Sequence, residues 1–199
     1  SDAGVEGANR FLKRVWRLSS NFFEQGYATV ELDKANLSKE AQDLRRKVHE
    51  TIAKVSDDIE RRYAFNTAIA AQMELLNAIT KFEVKSDNDA AVAREAVITL
   101  LTLLAPFAPH LSQTVLAQFG IDLTTTAFPS VDESALTRNT QTIVVQVNGK
   151  LRGKLEVSVD ISKEDLLAQA KALPEVQQFL TGETKKEIVV PNKLVNLVV

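Results

Sequence analysis

Between about Gly4 and Phe119, apolar residues recur every three to four positions. Phe11, Val15, Leu18 and Phe22 form one stripe, Leu44, Val48, Ile52, Val55 and Ile59 a second, and Phe65, Ile69, Met73, Leu76 and Ile79 a third. That period predicts amphipathic helices that each bury one face. A fourth segment, from Asp89 to Ala105, is apolar on most sides through "AVITLLTLLA", which predicts the central helix of a bundle. In "APFAPH", Pro106 and Pro109 lack amide donors and push Ala105 and Ala108 away from helical dihedrals, so the helix breaks or kinks there. The pattern resumes in "HLSQTVLAQFG", with Pro109 in the tolerated first turn and Gly120 as a stop. About five helices result, the second starting between Ser38 and Glu40.

From Ile121 to Gln141 the chain is rich in Thr, Ser and Asp and has no period, and it reads as a linker. Beyond it the period becomes two. Ile143, Val145 and Val147 share a face, and the Asn148-Gly149 pair turns the chain into a second strand, so a hairpin is expected. Ser162 and Asp165 make a capping-box-like helix start, Pro174 opens a shorter helix ending near Gly182, and "KKEIVVP" and "KLVNLVV" read as two closing strands. The expected fold class is α+β: a helical bundle over 1–120, a linker over 121–141, and a small mixed ββααββ domain over 142–199.

Composition narrows the function. The 199 residues are 45% hydrophobic and 25% charged, which suits one or two soluble globular domains. No apolar run approaches the roughly 20 residues that span a bilayer, and the opening "SDAGVEGANRFLKRVW" lacks the order of a secretory signal, so a cytoplasmic protein with no membrane partner is expected. The lack of cysteine excludes disulfides, thiol nucleophiles and thiolate metal sites. Ser1 opens the chain and its one methionine is Met73, so the polypeptide reads as a piece of a longer protein. A net charge of -2 argues against a nucleic-acid binder, but the distribution is uneven. Residues 138–199 carry a balance of +2 and residues 1–137 a balance of -4.

Catalytic chemistry is not evident. His49 and His110 lack metal-ligand spacing, and His110, after the proline kink, reads as a local cap or packing residue. Asp57, Asp58 and Glu60 read as a solvated helix face, and the glycines assemble no phosphate loop. No catalytic residue, metal ligand or cofactor site is assigned. The cations say more. Arg10, Lys13, Arg14 and Arg17 share one face of the first helix, positioned to track phosphates. Arg45, Arg46 and Lys47, with Arg61 and Arg62, suit either that role or simple solubility. Trp16 is expected in the core, with base stacking as the alternative. On the second strand of the hairpin, Lys150, Arg152 and Lys154 alternate with Leu151 and Leu155, which places all three cations on one face at about 7 Å steps. Such a row suits either phosphate contact or protection of a sheet edge. Gly153 between them implies either a close approach or a bulge.

The ordered motifs "GVEGANRFLKRVWRL", "FNTAIAAQMELLNAI", "LLAPFAPHLS" and "VVQVNGKLRGKLEV", closing on "VPNKLVNLVV", resemble the C-terminal third of bacterial leucyl-tRNA synthetases across essentially the whole chain. "VNGKLRGK" and the closing hairpin point to the leucine family among related class I enzymes. The resemblance implies an anticodon-binding-type helical domain that holds the tRNA body, and a small domain that meets the outer corner of the tRNA. It implies leucine-specific tRNA and the remainder of the synthetase chain as partners, with no DNA. On that basis Lys150, Arg152 and Lys154 are the leading RNA contacts, with Lys185, Lys186 and Lys193 on adjoining final strands. The family's His-Ile-Gly-His and Lys-Met-Ser-Lys-Ser signatures do not occur, so the fragment is expected to be inactive alone, with ATP and magnesium belonging to its parent. A non-catalytic helical module that binds other proteins is the rival reading, and it requires an exposed apolar patch.

Overall fold

A computed structural model describes residues 2–137, 140–182 and 184–199; Arg138 and Asn139 of the expected linker lie outside them. The chain is α+β and divides into two compact units, Ser1–Leu136 and Thr137–Val199. Five helices build the first: α1 (Asp2–Glu24), α2 (Lys39–Glu60), α3 (Phe65–Lys81), α4 (Asp87–Leu104) and α5 (Pro109–Gln118). Ser38 and Ser86 cap α2 and α4, their hydroxyls accepting from the Ala41 and Asp89 amides, which satisfies donors that a helix start leaves orphaned. Pro109 opens α5 in its first turn, and Gly120 ends that segment at φ 72°, a conformation that costs glycine nothing. Thirteen of the 18 residues of α4 are buried, so it is the helix around which the others pack. Leu100, Leu101, Leu103 and Leu104 line its last turns with almost no exposure, each contributing about 1.5–3 kcal/mol of burial.

The stretch expected as a linker is not free of the bundle. Ile121, Leu123 and Val131 pack against the first unit's core, and a 3₁₀ turn follows at Glu133–Leu136. What the lack of periodicity hid is that Asp132 forms ion pairs with Lys34 and with the buried Arg45.

The second unit is a four-stranded sheet in the order β2-β1-β4-β3, with one face covered by α6 (Lys163–Ala172) and the short α7 (Pro174–Gln177). Its strands are β1 (Thr140–Val147), β2 (Lys150–Ser158), β3 (Lys186–Val190) and β4 (Leu194–Val198). β1 pairs parallel with β4 and antiparallel with β2, and β3 closes the sheet antiparallel to β4. Asn148 at φ 51° and Gly149 at φ 77° make the two-residue turn, whose positive dihedrals match strand twist. Ile143, Val145, Val147, Val195 and Leu197 bury against Leu166, Ala170 and Val176 of the helices. Neither α6 nor α7 lies over the opposite face.

Candidate nucleic-acid interface

Arg10, Lys13, Arg14 and Arg17 are exposed on α1 while Phe11 and Val15 of the same helix are buried, as the helical spacing requires. Arg14 is held by α3, its Nη2 donating to Asn77 Oδ1 at 2.7 Å. Trp16, expected in the core, is 44% exposed. It shares a face with Val5 and Phe23, also exposed, since these positions lie about three and two helical turns apart. That apolar stripe is distinct from both the core face and the basic face.

The basic residues of α2 resolve differently. Arg46 pairs with Asp43 and Glu50, Lys47 with Glu74, and Arg61 with Asp57. Arg45 is buried between Glu95 and Asp132. These cations are engaged with acidic residues of the bundle. His49, for which the sequence showed no metal-ligand spacing, is also buried. Its Nδ1 accepts from the Asp132 backbone N–H at 3.0 Å and its Nε2 meets Glu95 Oε1 at 2.8 Å, so the proton resides on Nε2. Burial pushes the Glu95 carboxyl up, but hydrogen bonds from His49 and Arg45 outweigh it and leave its pKa below the usual carboxylate value.

The hairpin departs from the expected single cationic face. Val145 pairs with Gly153 and Gln146 with Leu151, so Arg152 is an extra residue, a bulge that reverses the alternation. Lys150 therefore lies opposite buried Val147, on the helix-covered side, while Lys154 lies opposite Val144 on the open side. Leu151, which strict alternation places opposite the cations, pairs with Gln146 on the open face and is 56% exposed. Arg152 turns toward the helices, its guanidinium 3.7 Å from the centroid of the Phe179 ring. Both readings of Gly153 hold together. It sits in the bulge, and a Cβ there would meet Val176 Cγ2 at 3.3 Å and Leu173 Cδ1 at 3.4 Å.

The other candidates are scattered. Lys186 pairs with Val198 on the open face at the far edge strand, about 14 Å from β2 across three strand spacings, so β3 does not adjoin the hairpin. Lys185 donates its backbone N–H to Val198, and Lys193, in the β3–β4 turn, accepts one from Val144 at its carbonyl. What unites the candidates is electrostatic. None of them forms an ion pair with a described residue, whereas most other cations of the chain do. Cations without an acidic partner, on exposed or half-exposed positions, are available to an external polyanion. Phe179 was not legible as a partner, because a lone aromatic after a one-turn helix has no periodicity; the glycine inside a strand was the one signal of crowding there.

Among the described residues no three His, Asp or Glu side chains converge in a way that would hold a metal ion, and no helix is long and apolar enough to cross a membrane.

Residues 41–167 match the family described as the anticodon-binding domain of tRNA ligase, a range that runs from α2 into α6. The whole chain is 83% identical to a leucine–tRNA ligase of Acinetobacter baumannii and 81% identical to that of Acinetobacter baylyi. At 46% identity it also matches the leucine–tRNA ligase of Psychrobacter cryohalolentis. It spans 23% of the length of each. Among solved structures, the ternary complex of Agrobacterium radiobacter K84 AgnB2 LeuRS with tRNA and LeuAMS superposes on the whole chain with a TM-score of 0.69 at 30% identity, over 26% of that protein.

Proposed function

Because the chain belongs to the anticodon-binding domain family of tRNA ligases, we propose that it is the tRNA-binding C-terminal portion of a leucine–tRNA ligase. On this reading the bundle holds the tRNA body and the sheet unit meets its outer corner, while another portion of the parent attaches leucine to the tRNA. On this reading ATP and magnesium belong to the activity of the parent enzyme. The parent works in the cytoplasm.

The observation that carries the reading is the division of the cations into those engaged in ion pairs within the fold and those left without an acidic partner. The second group includes Arg10, Lys13 and Arg17 on α1 and Lys150, Arg152 and Lys154 on β2. Structured RNA presents phosphates and 2′-hydroxyls at its surface, so backbone charge and shape dominate such a contact. The stripe of Val5, Trp16 and Phe23 supports a second, apolar contact of α1 with the rest of the parent chain.

The test is binding of this chain to leucine tRNA across a salt series. Affinity is expected to fall steeply with rising salt. Lys150→Ala with Lys154→Ala is expected to flatten the slope by roughly one for each phosphate no longer neutralised, with the thermal midpoint unchanged. An affinity indifferent to salt, or equal for duplex DNA of similar length, overturns the reading.

A further inference from the structure

Arg152 differs from every other candidate cation in how it is held. β2 is an outer strand of the sheet, and the bulge between Val145 and Gln146 places Arg152 out of register with β1. The guanidinium carbon lies over the Phe179 ring, 3.7 Å from its centroid. Its Nε is buried without a hydrogen-bond partner, and no ion pair ties the guanidinium to a described residue. Gly153 makes this possible. With no side chain there, Leu173 and Val176 approach the strand, bringing the start of α7 against the bulge and Phe179, just beyond α7, under Arg152. Glu175 places its Oε2 3.4 Å from where a Cβ on Gly153 would lie and forms no ion pair with Arg152.

A long, flexible cation in water gives up rotamer freedom when it takes hold of an anion. A guanidinium already seated over an aromatic ring has given up part of it, and its planar fork matches two oxygens of one phosphate. We propose that Arg152 is a preformed phosphodiester clamp for RNA and that Phe179 is its positioning residue, which fixes the plane of the guanidinium without touching the ligand. The proposal rests on the tRNA-binding reading above and sharpens it. The contact on this strand is a rigid fork on the helix-covered side, assisted by Lys150, and not a row of three equivalent charges. Lys154, on the open face, serves a different phosphate or none.

The experiment measures binding of the 199-residue chain to a leucine tRNA transcript over a salt series for wild type, Arg152→Lys, Arg152→Ala, Phe179→Leu and Phe179→Tyr. Arg152→Lys keeps the charge but loses the fork, so it is expected to lose about tenfold in affinity with an unchanged salt slope. Arg152→Ala is expected to lose more and to lower the slope by roughly one. Phe179→Leu should resemble Arg152→Lys, and Phe179→Tyr should restore wild-type binding. In the Arg152→Ala background, Phe179→Leu should have no further effect, an outcome that a merely structural role for Phe179 does not give. Circular dichroism checks that each variant is folded; if Phe179→Leu is not, Arg152→Lys and Phe179→Tyr decide the matter. Wild-type affinity for Arg152→Lys, or an equal loss from Phe179→Leu in both backgrounds, overturns the clamp while leaving tRNA binding intact. If the wild-type chain binds without salt dependence, the functional reading itself fails and the clamp fails with it.

Discussion

The Asp132 carboxylate accepts hydrogen bonds from Lys34, Ser134 and Arg45, while its own backbone N–H donates to His49. Those donors, the Lys34 ammonium first, hold its carboxyl far below the usual carboxylate range. One side chain thus fastens the segment after α5 to α2 and to the loop before it. Asp132→Asn leaves the Arg45 guanidinium buried with Glu95 as its remaining charged partner among the described residues, and it is expected to destabilise the protein by about 2 kcal/mol. The dependence on pH follows from the direction of the shift. A carboxyl depressed in the folded state binds its proton more readily when unfolded, so its stabilisation is complete above the unfolded value, about pH 4, and is lost as pH falls below it. Thermal unfolding of wild type and Asp132→Asn should therefore differ most near neutrality and converge in acid. A gap that widens on acidification would show that Asp132 is not the fastening group.

At the scale of elements, β2 shows how one extra residue changes a surface. Strict alternation places Lys150, Arg152 and Lys154 together, but the bulge sends Arg152 to the helices and exposes Leu151. The bulge is held from one side by the Asn148-Gly149 turn, which sets the register at Val147 and Lys150, and from the other by α7 pressing on Gly153. A β-branched side chain at Gly153 has no room, because Val176 is fully buried and cannot move aside. Gly153→Val is expected to cost about 2 kcal/mol from overpacking, read as a lower thermal midpoint, and to weaken tRNA binding by displacing Phe179. Unchanged stability would mean that α7 is less firmly seated than its contacts imply. The helices were easier to read, since a stripe repeated over several turns is redundant and tolerates one misleading position such as Trp16, whereas a strand's facing is overturned by a single insertion.

The described residues form two hydrophobic cores with no residue in common, one drawn from all five bundle helices and one from the sheet with α6 and α7. The smaller unit buries a smaller share of its chain's surface, so its amides are expected to lose hydrogen-exchange protection at lower denaturant than those of α2 to α4. Loss of protection throughout in one step would contradict that. Periodicity, proline and glycine positions, and ordered motifs are local properties, and by themselves they determined the helical bundle, the hairpin, the α+β class and the family. Which cations are paired inside the fold, where the 121–136 segment packs, and which way Arg152 points were decided only by tertiary structure. Each of these depends on a partner far away along the chain: Asp132 for Arg45 and His49, Asn77 for Arg14, and Phe179 for Arg152. Local spacing contains no record of such pairings, because they arise only when packing brings distant side chains into contact.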